Sequence, residues 1–155
     1  MKQALSSNNF PILKEDCKNE NYLFVALTES HLDNTAKEAE YHIEGYSQIT
    51  SNRINCQKGG VILYLKNNFT YKVIKIASDQ MCSFLAIYVN ELNLAIMLAY
   101  RPPPHFTPDH IFEGQALEQS FRNIVLDNVS SAINTLGTPE PDILLLGDFN
   151  FPGAV

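Results

Sequence analysis

One stretch near the end of the chain constrains the fold more than any other. Residues 141–152 read P-D-I-L-L-L-G-D-F-N-F-P. Ile143 to Leu146 is a continuous apolar run too short for a helix, and Gly147 is expected to end it, so the run predicts a strand buried on both faces. Asp148 and Asn150 then follow the C-terminal end of this strand, which is the edge where ligands collect in open α/β sheets.

Two interpretations of Asp148 and Asn150 are open. A carboxylate can orient or deprotonate a water and a carboxamide can hydrogen-bond a phosphate oxygen, a combination that suits hydrolysis of a phosphate ester. Asp and Asn also favour turns, and D-x-N taken alone more often only closes a strand. The pair by itself therefore does not establish a site.

A second acidic residue follows a second predicted strand. Tyr22 to Leu27 is again a continuous apolar run, which predicts a buried strand, and it continues into Thr28-Glu29-Ser30-His31. Two strands of one sheet can bring their ends to a shared site although they are far apart in sequence. Glu29 and Asp148 are therefore expected to converge.

The remaining patterns predict a layered α/β protein. Apolar residues recurring every three or four positions predict an amphipathic helix over 115–136, which Gly137 ends, and a short helix is predicted over 11–18. Apolar or alternating runs predict five further strands over 45–53, 61–65, 69–76, 83–89 and 92–100. The last two are expected to form a hairpin joined at Asn90-Glu91. A helix that leads into a buried strand is the order of such a fold.

Composition narrows the class of protein. The chain has 155 residues, 45% of them hydrophobic, which predicts one domain with one core. No apolar run is long enough for a membrane span or a signal peptide, so a cytoplasmic or nuclear location is expected, with no membrane partner. Cys17, Cys56 and Cys82 are odd in number and unpaired in pattern, which predicts free reduced thiols.

The net charge of −6 and the pI near 5.1 argue against salt-driven binding of nucleic acid over the whole surface. They do not exclude a nuclease, because a cluster of carboxylates can hold a divalent ion that faces the phosphate.

Four segments, in this order, resemble the endonuclease/exonuclease/phosphatase superfamily, and within it the apurinic-like endonuclease domain of non-LTR retrotransposons. They are L-F-V-A-L-T-E-S-H-L (23–32), R-I-N-C-Q-K-G-G-V-I-L-Y-L-K (53–66), A-Y-R-P-P (99–103) and D-I-L-L-L-G-D-F-N (142–150). The resemblance implies a four-layer α/β sandwich with mixed, mostly antiparallel sheets and a flanking helix. It also implies Mg²⁺- or Mn²⁺-dependent hydrolysis of a phosphodiester bond in DNA.

The resemblance assigns a role to each matching residue. Glu29 would bind the metal, Asp148 would orient the attacking water, Asn150 would hold a phosphate oxygen, and Tyr100 would hydrogen-bond the phosphate. Arg101 would contact the DNA backbone or form a structural ion pair. Taken singly, Glu29 is more often a turn acid and Tyr100 a strand aromatic. The four histidines lack the paired spacing of a zinc site and are expected at the surface.

Two parts of the family pattern have no match in the sequence. The opening strand with its asparagine, in a context like N-x-R-S, is not replaced by Asn8 or Asn9, and no Ser/Thr-Asp-His motif follows Asn150. The expectation is therefore a single endonuclease/exonuclease/phosphatase domain over 1–155, truncated at both ends, without its facing sheet and inactive as a fragment. Its open apolar face would then bind a partner or a second copy. A phosphomonoesterase or lipid phosphodiesterase of the same superfamily is the remaining alternative.

Overall fold

The computed structural model describes residues 9–30, 32, 38–52, 59–79, 81–103, 115–136 and 141–150. Strands β1 to β3 form one sheet in the order β1-β3-β2, and β4 to β7 form a second in the order β4-β5-β6-β7. All neighbours are antiparallel except β6 and β7, which are parallel. The strands are β1 (Phe24–Thr28), β2 (Tyr46–Ser51), β3 (Val61–Lys66), β4 (Tyr71–Ser78), β5 (Ser83–Val89), β6 (Leu94–Tyr100) and β7 (Asp142–Asp148).

Two helices complete the described part of the fold. Helix α1 (Phe10–Glu20) precedes β1, and α2 (Gln115–Thr135) connects β6 to β7. Pro11 lies in the first turn of α1, where its missing N–H costs nothing, and Asn21 ends the helix in a left-handed conformation. Short 3₁₀ turns lie at Glu38–Tyr41 and Asn90–Leu92.

The core is divided into three layers by the alternation of side chains along the strands. The inward-facing residues of both sheets meet in a central apolar layer that includes Leu63, Leu85 and Ile96. On the outer faces, Phe10 and Cys17 of α1 pack on the first sheet, while Val125 and Ala132 of α2 pack on the second. The order helix, sheet, sheet, helix confirms the predicted four-layer α/β sandwich.

The expectation that the facing sheet would be missing is wrong. The chain crosses from the first sheet to the second in the short turn between β3 and β4, where Phe69 N–H donates to the Lys66 carbonyl. Strands of both sheets are therefore formed one after the other along the sequence. The apolar face that was expected to lie open is covered within this chain.

The predicted burial of the two site-bearing strands is also wrong. Ile143 and Leu145 on β7 are 44% and 41% exposed, and all of β1 is only half-buried. In the part of the chain that the structure describes, both strands lie at the edge of their sheets, so no described strand pairs with their second side. A continuous apolar run indicates a strand but not its place in the sheet order.

The other predictions agree with the described elements within a few residues. The helix over 115–136 is α2, and the predicted hairpin is β5 and β6, although the 3₁₀ turn shortens its second strand. Neither Cys17 nor Cys82 forms a disulfide, and Cys56 lies outside the described residues. Within the ranges given above, no helix is long and apolar enough to cross a membrane.

One exposed carboxylate links the two turns that bracket β4 and β5. Glu91, in the turn before β6, accepts bonds from the Thr70 N–H at 3.0 Å to each oxygen. The Thr70 hydroxyl donates a third bond at 2.7 Å. These bonds favour the charged carboxylate, so they hold the pKa of Glu91 below its usual value.

We predict that Glu91→Gln reduces the acid sensitivity of folding. Because the folded-state pKa is lowered, the carboxylate stabilises the fold above its unfolded pKa, roughly 4.3, and this contribution is lost as pH falls through the lowered value. Thermal unfolding measured from pH 7 to pH 3 should give Glu91→Gln a lower midpoint at pH 7 and a smaller decrease on acidification. Glu44→Gln, at an exposed position, is the control. Parallel pH profiles of wild type and Glu91→Gln would contradict this account.

Candidate active site

The central layer of the sandwich becomes polar at one end. The last inward-facing positions of β1 and β2 are Thr28 and Ser51, which both pair with Val61 at the start of β3. In the second sheet Ser83 pairs with Tyr100, and Tyr100 pairs with Asp148. The Ser51 hydroxyl donates to the Ala77 carbonyl at 3.0 Å, so the two sheets are also hydrogen-bonded at this end. The central layer is therefore apolar along most of its length and polar at this end.

The hydrogen bond between Tyr100 and Glu29 joins the two sheets. The Tyr100 hydroxyl donates to Glu29 Oε1 at 3.0 Å. Tyr100 is only 2% exposed, whereas Glu29 is half-buried, so the phenol ring is fixed and the carboxylate keeps access to solvent. β1 and β7 lie in different sheets, so the expectation that their ends converge within one sheet is wrong. The two ends are connected across the sandwich through β6, whose last residue lies beside Asp148.

Glu29 has an unusual backbone conformation. Its φ is 54°, in the left-handed region that residues other than glycine seldom adopt. Asn21 and Asn93 share this conformation, but each follows a helical turn, where asparagine commonly adopts it. A strained residue of this kind costs about 1 to 3 kcal/mol and tends to lie at functional sites.

Asp148 and Asn150 form a turn at the end of β7, which was one of the two interpretations of this pair from the sequence. The Asn150 N–H donates to Asp148 Oδ1 at 3.2 Å, and Asn150 has a φ of 42°. The Asn150 side-chain amide donates to the Arg101 carbonyl at 2.6 Å, while the Arg101 N–H donates to the Asp148 carbonyl at 2.9 Å. An amide has two N–H groups, so one donor of Asn150 is used in this turn and a second remains. The turn fixes both polar side chains beside Tyr100.

Arg101 takes part in this network through its main chain. Its side chain is 2% exposed. The main-chain bonds of Arg101 to Asp148 and Asn150 hold the two strand ends together.

The donor groups at this end suit a hard cation. Glu29 offers carboxylate oxygens, and Mg²⁺ binds through one or two carboxylates because it retains several waters. Among the described residues no group of three or more His, Cys, Asp and Glu side chains is placed to hold a metal ion, so a cation at this end would depend on Glu29 together with waters. Of the histidines, only His42 lies in the described part, beside α1 and outside this site. His31, His105 and His110 lie outside it.

Two features of this end of the sandwich were missed from the sequence. Ser30 is buried beside Glu29 and forms hydrogen bonds to Gly59 and Gly60. From the sequence, these two glycines were interpreted only as the start of a strand. Ser51 and Ser83 look like ordinary strand residues, and only the sheet register places them at the polar end. The Gly59-Gly60 pair was the one available signal, since adjacent glycines often mark a close approach of the backbone.

No family model and no curated protein matches the sequence. Solved structures do match the fold. The human Nocturnin catalytic domain, determined with a bound sulfate anion, superposes with a TM-score of 0.60 at 13% identity, over 96% of this chain and 59% of that one. An endonuclease/exonuclease/phosphatase family protein from Bacteroides thetaiotaomicron gives 0.58 at 14%, over 96% and 57%. ANGEL2, described as a 2′,3′-cyclic phosphatase, gives 0.55 at 17%, over 93% and 44%.

These similarities define the fold. The chain has the endonuclease/exonuclease/phosphatase fold, as the sequence resemblance implied. It spans between 44% and 59% of the length of these three structures.

Gly147 is required by the close approach of β6 and β7, contrary to the expectation that it ends the strand. It lies inside β7, and a Cβ atom at this position would overlap the Ala99 carbonyl oxygen. Since the obstacle is backbone, it cannot move without disturbing the parallel pairing that places Asp148 beside Tyr100.

We predict that Gly147→Ala lowers the free energy of unfolding by about 1 to 3 kcal/mol, the usual cost of overpacking. Urea unfolding followed by circular dichroism measures the change. Leu145→Ala, which truncates an exposed side chain on the same strand, should cost less. If Gly147→Ala unfolds at the same urea concentration as wild type, the close approach of the two strands is not as described.

Proposed function

We propose that this chain is a Mg²⁺-dependent hydrolase of phosphodiester bonds in DNA, formed by a single endonuclease/exonuclease/phosphatase domain of retrotransposon origin over residues 1–155. One observation supports it above all: the Tyr100 hydroxyl bonds to Glu29 beside Asp148. Residues that the resemblance singles out from three separate segments thus lie at one end of one sandwich.

The residues divide the chemistry between them. Glu29 would hold Mg²⁺, which when bound supplies positive charge to the phosphate and to the charge that develops on it. Asp148 accepts a proton from water or orients it, because a carboxylate at the strand end combines an acceptor with access to solvent. The second N–H of Asn150 donates to a phosphate oxygen.

Tyr100 has one O–H, and that O–H now donates to Glu29. A bond from Tyr100 to the phosphate therefore requires the phenol to release the carboxylate. The two partners of Tyr100 are alternatives, so binding of metal and phosphate at Glu29 and reorientation of the phenol are coupled.

The DNA substrate is supported by the segment Y-R-P-P and by its order among the matching segments, which resemble the retrotransposon branch. With a net charge of −6, attraction to DNA arises at the metal rather than over the surface. The 155 residues contain no Ser/Thr-Asp-His motif, and groups that act as a unit lose most of their effect when one is missing. We therefore propose that the isolated chain binds the metal but turns over slowly or not at all.

We predict that Mn²⁺, used as a spectroscopic substitute for Mg²⁺, binds the chain through Glu29. Electron paramagnetic resonance of free Mn²⁺ during titration gives the dissociation constant without any need for turnover. Glu29→Gln should weaken binding at least about 10-fold, on the order of the losses that follow from disturbed metal ligation. Glu44→Gln removes one exposed carboxylate elsewhere and should leave the constant unchanged. Equal binding by wild type and Glu29→Gln would contradict the proposed metal site.

Nicking of supercoiled plasmid tests the activity itself. We predict at most trace nicking at high protein concentration, dependent on Mg²⁺ and lost in EDTA and in Asp148→Asn. Robust nicking that needs Asp148 would support the nuclease and refute the proposed low activity of the isolated chain. Nicking that persists in both Asp148→Asn and Glu29→Gln would come from another protein and would count against the proposal.

A second candidate, favoured by the similarity to ANGEL2, is hydrolysis of a 2′,3′-cyclic phosphate. Adenosine 2′,3′-cyclic phosphate is small and needs no extended binding surface. Chromatography would measure its conversion to a monophosphate, with Asp148→Asn as the control. This activity is distinct from DNA cleavage. Turnover of the cyclic phosphate without any plasmid nicking would replace the first proposal by the second.

A further inference from the structure

Ser30 is tied to the start of the neighbouring strand by two hydrogen bonds. Its N–H donates to the Gly60 carbonyl at 3.3 Å, and its hydroxyl donates to the Gly59 carbonyl at 3.2 Å. Ser30 is 3% exposed, although Glu29 immediately before it is half-buried. The backbone after Glu29 is therefore fixed from both its main chain and its side chain.

The glycine pair is shaped to receive this serine. Gly59 and Gly60 have φ values of 108° and 87°, which side-chain-bearing residues rarely adopt. A Cβ atom on Gly60 would lie 2.5 Å from the Ser30 hydroxyl oxygen and 3.3 Å from the Ser51 carbonyl oxygen. Ser30 thus occupies the space that any other residue at position 60 would fill.

We propose that Ser30 and the Gly59-Gly60 pair together position the Glu29 carboxylate for metal binding. The left-handed conformation of Glu29 is unfavourable by itself, and a strained residue persists only where its surroundings over-determine it. The two bonds of Ser30 provide that restraint on the residue's C-terminal side, and the Tyr100 hydroxyl restrains the side chain. Ser30 acts through Glu29 and is a positioning residue.

This inference rests on the proposed metal-dependent function, and its test uses metal binding as the readout. Ser30→Ala removes the hydroxyl bond and lets Glu29 relax towards an ordinary conformation. Loss of a group that orients a metal ligand typically weakens metal binding by roughly 10- to 100-fold. We expect the Mn²⁺ dissociation constant of Ser30→Ala to rise by about 10-fold, measured by electron paramagnetic resonance on protein shown to be folded by circular dichroism.

Ser51→Ala is the matched control. Ser51 is also a buried serine at this end of the sandwich whose hydroxyl donates to a carbonyl, that of Ala77. Its removal should lower the thermal midpoint about as much as Ser30→Ala does, but it should leave Mn²⁺ affinity unchanged. A merely structural role for Ser30 predicts that the two variants behave alike.

Gly60→Ala provides a second approach that leaves Ser30 in place. The added methyl group displaces the Ser30 side chain. Gly45→Ala controls for the backbone, because Gly45 has a φ of 83° and a methyl group added there would meet no atom within 4 Å. Mn²⁺ affinity should fall in Gly60→Ala and not in Gly45→Ala. In the double variant Ser30→Ala/Gly60→Ala the loss should be no greater than in the more affected single variant, because both act through the same contact.

The outcomes separate the inference from the function on which it rests. If Glu29→Gln abolishes Mn²⁺ binding while Ser30→Ala and Gly60→Ala bind like their controls, positioning by Ser30 is refuted and the metal site stands. If folded wild type binds no Mn²⁺, or binds it independently of Glu29, the positioning role of Ser30 and the proposed metal site are both refuted. Weakened binding in Ser30→Ala and Gly60→Ala, with unchanged Ser51→Ala and Gly45→Ala, supports the inference.

Discussion

The fold depends on the burial of two alternating apolar faces against each other. Leu63 and Leu65 of the first sheet meet Leu85, Ile87 and Leu98 of the second in a layer closed to water. The alternation that builds this layer also determines the site, because the same inward-facing positions carry polar groups at the last residues of the strands. The site is thus an end of the core, held by the packing behind it.

At that end, order is maintained by a few directed bonds rather than by apolar area. The phenol of Tyr100 reaches Glu29 across the sandwich, and the main chain of Arg101 connects β6 to the turn at Asp148 and Asn150. Glu29 and Asn150, at two of these strand ends, both adopt left-handed backbone conformations. The unfavourable backbone conformations at the strand ends are offset by the packing of the apolar layer next to them.

Sequence patterns predicted the elements better than their arrangement. The periodic apolar positions of α2 and the run in β7 were sufficient to place both, because periodicity and length are local properties. The edge position of β7, the covered inner face and the place of Gly147 inside the strand depend on which strands become neighbours, and no local pattern contains that information. Asp148 and Glu29 were singled out because each follows an apolar strand run, and Tyr100 through the resemblance. Ser30 was recognised only when its burial and its bonds to the glycine pair were known.

The parallel pairing of β6 and β7 has a consequence for the order in which the protein is assembled. Strands β4, β5 and β6 are joined by short turns and pair with their sequence neighbours. Strand β7 pairs with β6 through a much longer connection that contains α2. Closing a longer loop costs more chain entropy, so we expect β7 to join last. The chain would then pass through a state with a folded first sheet and meander but without Asp148 in place, and chemistry would become available only at the final step. Pulsed amide exchange during refolding, with β7 protected no later than β5, would count against this order.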